Sequence, residues 1–350
     1  MATLILEDGS RFEGTLFGHK AEATGEVVFT TGMIGYQEIV TDPSYAGQIV
    51  CMTYPLIGNV GINDLDDQSV GAHMKGLVVS ELCDLPSNWQ TKDSLENYLD
   101  AQGVTALYGV DTRALTRHIR AVGAVRGKIV EGEGTQEDVE ALKAYDVQQP
   151  TMDVTCKEAY EVGSGDVTVA MLDMGTTRAV VNSLASRGCR VKVYPADTSA
   201  QTILENGCDG VFISGGPGDP AALPNVIETV KQLMDASPTM GVCMGHLLMA
   251  RAMGGNTVRM SYGHHGGNQP VKDLNRGTCV VTSQSHLYLV DKDNLPANSE
   301  VSHINWNDRT IAGLRYTDRA AFSVQFVPDG GKCPSGTHYL YDAFIAGLKK

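Results

Sequence analysis

The hexapeptide Gly241-Val242-Cys243-Met244-Gly245-His246 constrains the fold more than any other stretch of the chain. Met240-Gly241-Val242 before the cysteine is short and apolar enough for a buried strand. Leu247-Leu248-Met249-Ala250-Arg251-Ala252-Met253 after it is rich in helix formers and is closed by Gly254-Gly255. A cysteine between strand end and helix start, with glycine two residues away on each side, describes a nucleophile elbow. The glycines permit the tight turn and the close approach of neighbouring chain. The helix N-terminus would stabilise a thiolate. A buried structural cysteine is the competing reading, and the flanking sequence has to decide.

The rest of the second half alternates strand and helix. Val167–Asp173, Arg190–Tyr194 and Gly210–Ser214 read as strands, and Arg178–Ser186, Ser199–Glu205 and Val226–Ala236 as helices. Open α/β sheets bind ligands at the carboxyl ends of their strands. Asp173–Thr177, Ser214–Pro220 and Cys243 all fall at such ends. The loop Ser214-Gly215-Gly216-Pro217-Gly218-Asp219-Pro220 has neither P-loop nor dinucleotide-binding spacing, so its bare amides are expected to face a small ligand or an oxyanion.

Residues 1–148 read as a mixed α/β domain, 149–166 as a linker and 167–350 as the open-sheet domain. In the first, Thr3–Leu6, Gly25–Thr31 and Gln48–Pro55 are strand-like, and Asp93–Leu99 and Asp111–Arg120 helical. The Asp42-Pro43-Ser44 turn leaves Ser44 with a hydroxyl either for the turn or for a ligand. A net charge of −14 argues against a nucleic-acid or anionic-membrane binder. No stretch reaches membrane-spanning length, and the eight cysteines show no zinc spacing, so no metal site is expected and a cytoplasmic location fits.

Ser214–Pro220, Gly241–His246, Tyr262–Asn268 and Phe322-Ser323-Val324-Gln325 together resemble the class I (triad-type) glutamine amidotransferases. Gly25–Phe29, Gly35–Ser44 and Gly58–Gly61 resemble the first domain of the carbamoyl phosphate synthetase small subunit. The resemblance implies an N-terminal small-subunit domain, then an amidotransferase domain with an open, mostly parallel sheet and flanking helices. It further implies glutamine hydrolysis through a cysteine thioester, with ammonia passed to a large subunit for pyrimidine or arginine biosynthesis. ATP and magnesium would belong to that large subunit, leaving this chain without a cofactor. By the same resemblance Cys243 matches the nucleophile, and Ser44, Gly216 and Gly218 match glutamine-contacting positions. Met244 matches the oxyanion-hole amide.

Against this pattern the sequence departs where the chemistry is expected. The family's His-Pro-Glu reads Val327-Pro328-Asp329, so the base is replaced by a side chain with no proton to exchange. Gly-His-Gln reads Gly245-His246-Leu247, and Gln-Asn-His-Gly reads Gln284-Ser285-His286-Leu287, followed by Tyr288. Gly-Ala-Lys after the first strand reads Gly175-Thr176-Thr177. Leu247, Ser285, Leu287 and Tyr288 thus stand at substrate positions with altered chemistry. Among substitutes for the base, His246 lies on the nucleophile's own helix, His286 matches a position that is not the base, and His338 lies eleven residues beyond Val327. His264 and His265 lie in a glycine-rich turn and read as structural. The expectation is a small subunit with severely impaired glutaminase activity. The alternatives are an inactive scaffold or regulator of an ammonia-using synthetase, and a thiol enzyme repurposed around Cys243.

Overall fold

The computed structural model describes residues 1–146, 149–328 and 336–348, which divide into two compact units. The first comprises residues 1–148 together with 261–265, and the second comprises 149–260 and 266–350. Residues 149–166, read from the sequence as a linker, belong to the second unit and carry a helical turn, Thr151–Val154, and a strand, Tyr160–Val162.

In the first unit seven strands close into a barrel. Its core is filled by apolar side chains such as Leu4, Val27, Ile49, Val78 and Ile129, all fully buried. Helix Thr112–Val122 starts where the Asp111 carboxylate accepts the Ala114 amide at 2.8 Å, and it buries Leu115 and Ile119, one turn apart, on the barrel. The Asp42 carboxylate accepts the Ser44 amide at 2.9 Å and caps the short turn Pro43–Tyr45, so Ser44 sits half-buried on the turn that its sequence indicates.

The second unit is built on a ten-stranded sheet. Its parallel part runs Cys189–Pro195, Val167–Asp173, Gly210–Ile213, Thr239–Val242, Ala321–Val324, and antiparallel strands extend it on both sides. The central strand Val167–Asp173 carries a continuous apolar run, residues 169–172, because both of its faces are covered. Val169 and Met171 enter one core with Tyr341 and Phe344, while Ala170 and Leu172 enter the other with Leu233 and Leu248. Helix Pro224–Ala236 presents Val226, Val230 and Leu233 to that second core at helical spacing. This two-sided packing fixes the carboxyl ends of the strands, and those ends carry the candidate site.

Candidate active site

Cys243 follows the strand Thr239–Val242 and precedes the helix Met244–Ala252. Its backbone has φ 49° and ψ −108°, one of two positive φ values at non-glycine residues among those described. Such a conformation costs on the order of 1–3 kcal/mol and persists only where the surroundings impose it. Here they do. The Cys243 amide donates to the Val324 carbonyl at 2.9 Å, and the Gly245 amide donates to the Ser214 carbonyl at 3.0 Å. The glycines allow close approach: a Cβ on Gly241 would lie 2.4 Å from Met249 Sδ, and one on Gly245 would lie 2.2 Å from the Ile213 carbonyl oxygen. The elbow is therefore formed as the hexapeptide indicates.

The glycine loop lies directly beside it. A Cβ on Gly215 would sit 3.4 Å from Cys243 Cβ. Gly216 packs so closely on the preceding loop that a Cβ would fall 2.0 Å from the Met174 carbonyl oxygen. Gly218 takes φ 97°, in the region that favours glycine. Ser214 Oγ accepts the Met174 amide at 2.8 Å, tying the loop to the end of the neighbouring strand. Met244 begins the helix, 1% exposed.

The strand Cys279–Val290 supplies the opposite side. Cys243 Sγ donates to the Ser285 carbonyl at 3.8 Å. Two residues earlier, Ser283 pairs antiparallel with Val327, whose amide donates to the Ser283 carbonyl at 3.2 Å. Position 327 is thus held on the strand that touches the thiol, and it presents an isopropyl group. Asp329 lies outside the described residues. Leu287 is buried, and Tyr288 is half-buried against the larger core. Leu247 is built into that core, where a polar contact to a ligand is replaced by apolar packing. Ser44 belongs to the other unit.

Three histidines of the second unit that the sequence offers as substitutes for the base hold other contacts, although the buried His246 Nε2 has no hydrogen-bond partner among the described residues. His246 Nδ1 bonds with Ser323 Oγ at 2.8 Å, and complete burial pushes its pKa down to about 3, with a further contribution from His303. His286 has both ring nitrogens engaged, Nδ1 with the Tyr288 carbonyl at 2.9 Å and Nε2 with Gln284 Oε1 at 2.9 Å. His338 Nδ1 accepts from the Arg187 guanidinium at 3.1 Å. In the first unit, His265 stacks on Tyr45 with ring centroids 5.8 Å apart, and its carbonyl accepts the Thr31 amide at 3.1 Å.

Two features went unnoticed in the sequence. His303 lies 3.6 Å from the Asp273 carboxylate, and Tyr339 hydroxyl donates to that carboxylate at 2.6 Å while meeting His303 Nε2 at 3.1 Å. The three residues are far apart in the chain and share no motif. Gln325, beside Cys243 in the sheet, is 2% exposed, and neither of its amide atoms has a hydrogen-bond partner among the described residues. No group of three or more His, Cys, Asp or Glu among the described residues is arranged to hold a metal ion.

The buried His246 has a consequence for acid stability. Its folded-state pKa lies below the unfolded value of 6.5, so between about 6.5 and 3 the unfolded chain takes up a proton that the native state refuses. Stability is fully present above that window and falls as pH drops through it. His246→Gln is expected to remove up to about 1.4 kcal/mol per pH unit of this slope in urea titrations between pH 6 and 4, and equal slopes would contradict it.

Both halves of the chain are similar to known proteins. Residues 4–129 match the family model for the carbamoyl-phosphate synthase small chain, CPSase domain, and residues 170–346 match that for glutamine amidotransferase class I. The carbamoyl phosphate synthase small chain of Clostridium perfringens is 43% identical over 345 residues, covering 98% of each chain. That of Bacillus caldolyticus is 44% identical over 353 residues, covering 99% of this chain and 96% of the relative. The small chain of Archaeoglobus fulgidus is 43% identical over 357 residues, covering 100% and 99%. A glutamine amidotransferase structure from Thermotoga maritima aligns with 53% of this chain and 85% of its own at 16% identity and a TM-score of 0.40. Both halves of the chain are thereby accounted for, and it belongs to the carbamoyl-phosphate synthase small chain family, with a class I glutamine amidotransferase domain as its second half.

Proposed function

We propose that this chain is the small subunit of a carbamoyl phosphate synthase whose glutaminase centre is severely impaired, and that it serves its large subunit chiefly as a scaffold or regulator. The observation that carries this reading is Val327, paired with Ser283 on the strand whose Ser285 carbonyl meets the Cys243 thiol. Glutamine hydrolysis needs a group that takes the thiol proton and returns one to the departing ammonia, and valine does neither. His286 and His338 are bonded to other partners, and His246, bonded through Nδ1 to Ser323, is fully buried with its pKa pushed down to about 3, which supports the same reading. The buried Leu247 and Leu287 replace polar or open positions of the glutamine site with hydrocarbon.

Within this reading the chain works in the cytoplasm, carries no cofactor and leaves ATP and magnesium to the large subunit. The nitrogen donor is free ammonia, and the product feeds pyrimidine or arginine synthesis. No helix among the described residues is long and apolar enough to cross a membrane. Reconstitution with the large subunit tests the proposal. The complex should make carbamoyl phosphate from ammonium chloride and fail to make it at a comparable rate from glutamine. Equal rates from the two donors would refute it.

The strained backbone of Cys243 supports a second reading, a thiol enzyme with a less polar substrate, because strained residues cluster at functional sites. Failure of the chain to retain a synthetase subunit in co-purification would favour that reading over the scaffold.

A further inference from the structure

We propose that Gln149 and Thr151, at the start of the second unit, are positioning residues for the glycine loop beside Cys243. The Gln149 carboxamide lies against Gly218: a Cβ on that glycine would fall 2.4 Å from Gln149 Oε1 and 2.7 Å from its Cδ. Oε1 accepts the Asp219 amide at 3.0 Å, and Nε2 donates to Thr151 Oγ1 at 2.7 Å. Thr151 Oγ1 in turn donates to the Pro217 carbonyl at 2.7 Å. The fully buried hydroxyl therefore acts as acceptor and donor at once, and the chain of bonds grips the loop at 217 and 219, on either side of Gly218.

The same segment reaches two more strand ends. Thr155 Oγ1 donates to the Asp173 carbonyl at 2.6 Å and accepts the Ala196 amide at 2.9 Å. The Cys156 amide donates to the Asp173 carboxylate at 2.8 Å. Residues 149–156 thus tie together the loops after three parallel strands. The loop at Ser214–Pro220 is the one that adjoins the thiol: the Gly245 amide of the elbow bonds to Ser214, and Gly215 packs on Cys243. Loop amides hold a ligand's oxygen only if their directions are set beforehand. Two side-chain hydrogen bonds, from Gln149 to Asp219 and from Thr151 to Pro217, linked by a third between the two side chains, set them here. This inference rests on the elbow thiol facing the glycine loop, and it does not require that glutamine be turned over.

The test compares modification of Cys243 in the full-length chain by iodoacetamide, which alkylates the thiol, releases iodide and carries a carboxamide, and by methyl methanethiosulfonate, which forms a methyl disulfide with release of methanesulfinate and carries none. Labelling is read at Cys243 by peptide mass mapping. Thr151→Val keeps the shape and removes the hydroxyl, whereas Thr151→Ser keeps the hydroxyl. The ratio of iodoacetamide to methanethiosulfonate rates should fall about threefold or more in Thr151→Val and stay unchanged in Thr151→Ser, the size expected for one lost hydrogen bond. A residue that mattered only for packing would rank the two variants the other way. In parallel, exchange of the Gly218 and Asp219 amides should quicken about tenfold in Thr151→Val and in Gln149→Ala. An unchanged ratio in Thr151→Val overturns the proposal, and a ratio that rises would make Gln149 an occupant of the loop rather than its support. If neither reagent labels Cys243 in the unaltered chain, the thiol-facing reading fails on its own, and the exchange rates alone decide the positioning role.

Discussion

Restoring four of the altered positions together, Val327→His, Leu247→Gln, Ser285→Asn and Leu287→Gly, is expected to raise Cys243-dependent glutamine hydrolysis by about two to four orders of magnitude, the range attributed to a positioned general base and acid. Val327→His alone should recover only a small part of this, about tenfold or less, because groups acting as a unit are not additive. The structure gives the reason. A histidine at 327 would return to the strand that touches the thiol, yet substrate would still meet Leu287, buried beside Ser285, and Leu247, sequestered in the core. Ammonia release in the presence and absence of Cys243→Ala measures the effect. Full recovery in the single variant would show that the pocket still recognises glutamine and that only the base is missing. The combined variant carries a stability cost, since a buried leucine exchanged for glutamine loses apolar packing, and its folding is checked by the same urea titration used for His246→Gln.

Gly245→Ala should cost about 3 kcal/mol or more and lower the thermal midpoint by roughly 6–12 °C for a unit of this size. The added methyl would fall 2.2 Å from the Ile213 carbonyl oxygen and 2.9 Å from Ile213 Cβ, a main-chain and a branch-point atom that cannot swing aside. The strand must then move away from the helix, which also breaks the bond from the Gly245 amide to Ser214 that sets the glycine loop. Gly241→Ala is expected to destabilise as well, because a Cβ there would lie 2.4 Å from the buried Met249 Sδ and 2.9 Å from the Gly245 carbonyl carbon and oxygen. A midpoint unchanged in Gly245→Ala would mean that the elbow is looser than its geometry indicates.

Much of this arrangement is legible in the sequence because it is local. The elbow can be read from two glycines and the change of pattern around one cysteine. The parallel strands can be read because burial on both faces gives them continuous apolar runs, as in residues 169–172 of Val167–Asp173. The valine at the position where the resemblance expects a base is a matter of residue type alone. What escapes is what depends on contacts between distant residues. His303, Asp273 and Tyr339 meet through side chains separated by 30 to 66 positions, and no spacing announces them. The antiparallel extension of the sheet, built by Ser299–Asn305, Ile311–Tyr316 and their neighbours, has mixed burial and a bulged register, so its periodicity is weak. The stretch read as a linker is similar. Gln149 and Thr151 have turn-like composition, and only their bonds to Pro217 and Asp219 reveal that they support the site.

The elbow and the valine at position 327 point in opposite directions, and one assay weighs them. Ammonia release from glutamine by the purified chain, alone and with its large subunit, is compared with that of Cys243→Ala. The account predicts rates for the two proteins that differ by no more than a few-fold, with ammonium-supported synthesis by the complex unaffected by the substitution. Robust release that disappears in Cys243→Ala would contradict it and would require another group near the thiol to act as the base.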